Sequence, residues 1–210
     1  TKASDNFFEY YQGGWANIVA SGNNLGKRVY ASVFSRISYD FKNKYFITGN
    51  FRRDGNSALA VGKKYGNFGG VSGGWLLSEE NFFKESITPD VLDNVKLNAS
   101  WGRVGNGNLA NDYSSYDLYS ASLYGDAATW AITQQGNPEL SWETSEQTNI
   151  GFEFNTLKSR LHVEFAYFNN NVNGLILSVS QSPSKGIPNN SILANVGFMY
   201  NRGIELSAAY

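Results

Sequence analysis

Cysteine is absent from the 210 residues, which excludes a disulfide framework and any thiolate metal site. The single histidine, His162, excludes a centre built from several imidazoles. Lysine and arginine number 17 against 18 aspartates and glutamates, so there is neither a basic footprint for nucleic acid nor an acidic tail. No stretch approaches the ~20 consecutive apolar residues that a membrane helix needs. Thr1-Lys2-Ala3 opens no signal-peptide pattern, so a leader is expected to be processed away or to lie outside these residues. What the chain does have is 15% aromatic residues and 22 glycines beside only 17% charged residues. Disordered segments lack such aromatic content, and helices do not tolerate so much glycine.

The dominant signal is alternation. From Ala31 to Phe41 one face reads Ala31, Val33, Ser35, Ile37, Tyr39, Phe41, and the other Ser32, Phe34, Arg36, Ser38, Asp40. Successive strand side chains point to opposite faces, so this is a strand with one apolar and one largely polar surface. Lys42-Asn43-Lys44 turns the chain into Tyr45, Ile47, Gly49 and Phe51. Pairing Phe41 with Tyr45 and Tyr39 with Ile47 keeps the apolar faces in register. The pattern returns at Val95–Trp101, Ile150–Phe154, Leu161–Tyr167 and Ile204–Tyr210, with a glycine-rich candidate at Phe68–Leu77. About seven strands are expected. The better-defined ones near ten residues match the ~9–11 needed to cross a bilayer, against ~5–6 in soluble domains.

Connections alternate in length. Lys42–Lys44 and Asn155–Arg160 are short, whereas Gly55–Tyr65, Val104–Trp142 and Asn169–Gly197 are long. Short turns at one end and long loops at the other are the habit of transmembrane β-barrels. Ser78–Asp93 is the exception, with a short helix expected after Ser78 as cap. Residues 1–28 lack alternation and are expected to form a loop leading into a barrel domain over 29–210. Aromatics gather near the short turns, at Tyr39, Phe41, Tyr45, Phe46, Phe152 and Phe154, as interfacial girdles do. Charge on the apolar face is confined to strand ends, at Arg53 and Arg103. Alternation alone leaves a second reading open, a soluble carbohydrate-binding β-sandwich with aromatic loops as its binding surface.

Several blocks carry a resemblance. Arg53-Asp54-Gly55-Asn56-Ser57, Tyr65-Gly66-Asn67-Phe68 and Gly74-Trp75 come first, followed by Val95-Lys96-Leu97-Asn98-Ala99-Ser100-Trp101-Gly102-Arg103-Val104-Gly105-Asn106. Asn137-Pro138-Glu139-Leu140-Ser141-Trp142-Glu143-Thr144 and Gln147-Thr148-Asn149-Ile150-Gly151 come next, then Asn195-Val196-Gly197 and Asn201-Arg202-Gly203-Ile204-Glu205-Leu206. In this order they resemble the barrel of SusC/RagA-type TonB-dependent outer-membrane transporters. Ala58-Leu59-Ala60-Val61 departs, standing where the family has an Arg-Phe-Gly-like run. The resemblance implies an all-β, antiparallel transmembrane barrel of 22 strands filled by an N-terminal plug. This chain would be a C-terminal-side portion, without the plug and the final strands. It implies TonB-coupled import of oligosaccharides or peptides, a SusD-like surface lipoprotein partner, and the outer membrane of a Bacteroides-type bacterium. The TonB complex would engage the missing N-terminal region.

No catalytic residue, cofactor or metal is expected. His162 has no second imidazole or thiol, Glu79-Glu80 suit the start of a helix, and Gly102–Gly107 has the wrong glycine spacing for a dinucleotide loop. Arg36, Asp40, Arg52, Asp54, Lys96, Glu153, Glu164 and Glu205 are expected to face the lumen and the plug. In the long loop, Tyr116, Tyr119 and Trp130 are the candidates for substrate contact, since aromatic faces stack on sugar rings.

Overall fold

The computed structural model describes residues 26–86, 92–125 and 127–210. The strands are β1 Tyr30–Phe41, β2 Tyr45–Asn56, β3 Tyr65–Leu76, β4 Leu92–Asn106, β5 Leu118–Tyr124, β6 Ala127–Gln134, β7 Glu143–Thr156, β8 Leu161–Asn173, β9 Ile176–Ser180, β10 Ser191–Asn195 and β11 Phe198–Ala209. Seven of them make one sheet in the order β1-β2-β3-β4-β7-β8-β11, every pair antiparallel. This is an open segment of barrel wall with the seven strands that the alternation predicts. The β5–β6 and β9–β10 hairpins stand on the two longest connections. They escape the alternation because Leu118 and Tyr119, like Leu123 and Tyr124, put apolar groups on both faces. The expected entering loop over 1–28 lies outside the described residues except for Gly26–Arg28.

The predicted pairing of Phe41 with Tyr45 and Tyr39 with Ile47 is present. It extends across the whole sheet. One row reads Phe41, Tyr45, Trp75, Leu97, Phe152, Phe165, Leu206, and the next Tyr39, Ile47, Gly73, Ala99, Ile150, Tyr167, Ile204. The apolar face is therefore continuous, and Val33, Ile37 and Leu206 on it are all more than 70% exposed. Among the described residues no second sheet covers it, which removes the sandwich reading. Phe46 departs from the expected girdle. It pairs with Asp40 and Gly74 on the opposite face, where its ring lies over Gly74.

The strands run 12 to 15 residues, longer than the alternation indicates. Their extra length at the loop end carries polar groups on both faces. There the first arginine on the apolar face stands eight residues above the girdle row at Arg53, six at Arg103 and four at Arg202. At ~3.3 Å per residue and ~4.8 Å between strands, that descent over five strand intervals makes an angle of about 30°. The boundary lies level in a bilayer when the strands tilt by that angle, close to the ~35–45° of membrane barrels.

The buried cluster lies at the loop end of the sheet rather than on either face. Ala58, Leu59, Ala60, Leu109 and Leu140 form it, with Trp142, Ile176 and Leu193 packed on them. Side-chain amides stitch the loops around it. The buried Asn56 donates to Gly107 O at 2.8 Å and accepts from Ala58 N at 3.0 Å, an Asx turn that folds the chain inward. Asn137 accepts from Glu139 N and donates to Leu193 O, both at 2.9 Å. Asn195 accepts from Ser141 N and donates to the carbonyls of Ser141 and Gly174 at 2.8–2.9 Å. The Trp142 indole donates to Lys64 O at 3.1 Å, and its ring meets Phe68 edge-on at 5.3 Å. A Cβ at Gly66 or Gly105 would overlap the Phe68 ring, so a side chain at either position would push that ring off Trp142. The Asn137–Glu143 block is thus a clasp that joins the two long loops to the end of β2.

Candidate functional site

Strand alternation places Arg36, Asp40, Arg52, Asp54, Lys96, Glu153, Glu164 and Glu205 together on the face opposite the apolar one, as their type suggests. Lys96, Glu153 and Glu164 are consecutive cross-strand partners, with Lys96 Nζ at 2.6 Å from Glu153 Oε1. Arg52 Nε donates to Asp54 Oδ1 at 2.7 Å along β2. These pairs are partly exposed, so each contributes little to stability, about 0–1 kcal/mol. Their value is to present fixed charge to whatever fills the space in front of the sheet.

Arg52 and Asp54 stand at the loop end and Asp40, Lys96, Glu153, Glu164 and Glu205 at the short-turn end, with Arg36 between them, paired with Asn50. Asn50, Ser72, Ser100, Ser145, Gln147 and Asn149 surround a hollow of about 230 Å³ whose floor is the cross-strand pair Gly70 and Gly102. The floor must be glycine at 70, because a Cβ there would lie 2.7 Å from Trp101 O. Hydroxyl and amide groups both donate and accept, so this surface offers hydrogen bonds of either sense, with Arg36 beside Asn50 and Arg103 at its edge.

The aromatic candidates divide. Tyr119 and Trp130 share one face of the β5–β6 hairpin and are 58% and 73% exposed. Tyr116 sits apart at the base of that hairpin, where Lys64 Nζ donates to its hydroxyl at 3.2 Å and lies 5.8 Å from its ring centroid. The structure therefore brings two of the three together.

At the short-turn end the sequence reading needs correction. Ser78 is not a helix cap. It is buried in a 3-10 turn, Leu77–Glu79, and Glu80 precedes the helix α1 Asn81–Ser86, accepting from Phe83 N and Lys84 N. The Glu80 carboxylate does not serve the helix dipole. It accepts from the Tyr45 hydroxyl at 2.6 Å and the Trp75 indole at 3.2 Å, with Lys44 Nζ at 3.5 Å. The Tyr45 hydroxyl first, then the indole, hold its carboxyl below the usual carboxylate range. Stacked Tyr45 and Trp75 rings, 6.2 Å apart, complete this rim. His162 hydrogen-bonds Asn155 at 2.7 Å, and among the described residues no three metal-ligating side chains converge.

Comparison with known proteins agrees with this architecture. A family model described as "TonB dependent receptor-like, beta-barrel" matches residues 2–210. The chain is 34% identical over 194 residues to the TonB-dependent receptor P39 of Formosa agariphila, covering 92% of this chain and 18% of that protein. It is 29% identical over 183 residues to the TonB-dependent receptor SusC of Bacteroides thetaiotaomicron, covering 84% of the chain and 18% of SusC. Among solved structures, the RagAB peptide importer in its closed-closed state matches with TM-score 0.77 and 28% identity, over 98% of this chain and 22% of that one. The chain thus spans about a fifth of the length of these relatives, and they are receptors and transporters rather than enzymes. A two-faced antiparallel sheet, short turns opposite clasped loops, and a family match over almost every residue together make this chain part of the barrel of the TonB-dependent receptor family, whose members reside in the outer membrane.

Proposed function

We propose that this chain is part of the wall of an active outer-membrane importer of oligosaccharides or peptides. Transport is coupled to the TonB complex through a plug-bearing N-terminal region, and a SusD-like surface lipoprotein covers the barrel in a Bacteroides-type bacterium. The observation that carries this reading is the likeness, over 98% of the chain, to a peptide importer, beside 29% identity to SusC. The polar face is the lumenal one in this reading. Arg36, Asp40, Arg52, Asp54, Lys96, Glu153, Glu164 and Glu205 hold the plug or water, and Tyr119 and Trp130 reach substrate or the lipoprotein. Tyr116, already engaged by Lys64, orients the hairpin base.

The test is uptake by whole cells. Labelled oligosaccharides or peptides should accumulate in cells carrying the full-length gene, and deleting that gene should abolish accumulation. A proton uncoupler should abolish it as well. Accumulation that continues undiminished under the uncoupler would leave a passive porin instead.

A further inference from the structure

Within the described strands the apolar face carries four charged side chains, Arg53, Arg103, Glu146 and Arg202. Three are arginines, and each is the first charged side chain met on its strand above the apolar rows. All are exposed. The opposite rim of the same face is different. It is aromatic, at Phe41, Tyr45, Trp75 and Phe152, and the basic groups in the turns near it are Lys42, Lys44, Lys158 and Arg160, of which Lys44 is paired with Glu80.

We propose that Arg53, Arg103 and Arg202 form a line of binding sites for the phosphate groups of outer-leaflet lipid headgroups. The inference rests on the apolar face meeting lipid. Three features support it. A guanidinium can grip a phosphate through two parallel N–H bonds, which an ammonium cannot do. Two of the three are held along the surface by neighbouring rings, since Arg53 Cζ lies 5.2 Å from the Tyr65 ring and Arg202 Cζ 5.4 Å from the Tyr200 ring. Finally, the line they make descends across the sheet at the angle that a tilted barrel turns into a level one, so all three sit at one depth.

Local balance favours an anion. Glu146 is the acidic group on this line and makes a partly exposed salt bridge to Arg103 Nε at 3.7 Å, which leaves Arg53 and Arg202 without an acidic neighbour on that face. Three arginines against one glutamate leave two net positive charges. By sheet spacing the arginines are roughly 12 and 16 Å apart, so each takes a separate phosphate group.

The test uses the full-length transporter, delipidated in neutral detergent and titrated with lipid A or with the same lipid after removal of its phosphates. Native mass spectrometry counts the lipids retained. The wild type should retain the phosphorylated lipid preferentially. R53Q and R202Q should each lower that preference roughly five-fold, and the triple arginine-to-glutamine variant on the order of a hundred-fold. R103Q should lower it less, because Glu146 already offsets part of that charge. K158Q and R160Q, at the other rim, should leave it unchanged. Heat-dependent gel migration confirms that each variant is folded. Equal retention of both lipids by the wild type, or a preference that survives the triple variant, overturns the proposal while leaving the lipid-facing wall intact. Retention of neither lipid overturns the wall's orientation as well.

Discussion

An arginine scan along β4 separates the two faces most sharply. Val95, Leu97, Ala99, Trp101 and Arg103 share the apolar face, Val95 being buried at its short-turn rim, and Asn98 and Ser100 point the other way. Eight residues at ~3.3 Å, tilted by about 30°, span roughly 23 Å along the membrane normal, close to the ~25 Å apolar band of such barrels. Ala99 therefore lies at mid-depth, and Leu97 about 6 Å towards the short turns. An arginine facing lipid costs ~2–4 kcal/mol at the midplane and ~0–1 at the interface. Interpolating gives about 2–4 kcal/mol for Ala99→Arg and roughly 1–2.5 for Leu97→Arg. Asn98→Arg and Ser100→Arg should stay within about 1 kcal/mol, because they exchange one polar group for another on a wetted face. Urea titration of the full-length protein refolded into vesicles, followed by tryptophan fluorescence, measures these differences. Equal losses at 98 and 99, or a greater loss at 97 than at 99, would refute the assignment of faces and of depth.

Other sites yield independent outcomes. Asn195→Ala removes three hydrogen bonds, two of them between the loops, and should cost about 2–4 kcal/mol locally, seen as faster amide exchange in residues 137–143 with the β1–β2 hairpin unaffected. Leu59→Ala empties a fully buried position in the loop-end cluster and should cost about 2–5 kcal/mol, measured as earlier proteolysis of the long loops. Tyr45→Phe removes the principal donor to Glu80, so the Glu80 carboxyl should titrate closer to its usual value. A carboxylate held low in the folded state contributes stability above its unfolded pKa, and that contribution is lost as pH falls through the folded one. Above the unfolded pKa the variant should therefore be less stable than the wild type, and the gap should narrow as pH falls, which gives the variant the shallower acid limb; limbs of equal depth would show that the hydroxyl does not govern Glu80.

The sheet was legible because one constraint, lipid against one face and water against the other, repeats at every second residue. Phe41 facing Tyr45 followed from that period alone. The loops were opaque for the opposite reason. Their order depends on side-chain amides at Asn56, Asn137 and Asn195 bonding to distant backbone, and a composition rich in Asn and Gly does not say which partner each will find. Ala58–Leu59–Ala60 illustrates the point. The run departs from the resembling family's usual residues, yet those three are among the best-buried residues of the described structure. Phe46 and Ser78 were misjudged because neighbours in space, Gly74 and the 3-10 turn, decide their roles. The division of Tyr116 from Tyr119 and Trp130 likewise depends on Lys64, fifty-two residues earlier.

The sheet and the clasp differ in the order in which they can be assembled. Each strand of the sheet pairs with the next sheet strand along the chain, so the wall can zip hairpin by hairpin with short loop closures. The clasp cannot start so early. It joins Ala58 to Leu140 and Leu193, and its last anchor, Asn195, is the final residue of the β9–β10 hairpin. A chain halted before Asn195 would thus carry six paired strands with their long loops still untied. The clasp can therefore close only once everything from β1 to β10 is in place, so its order is a readout of the finished wall behind it.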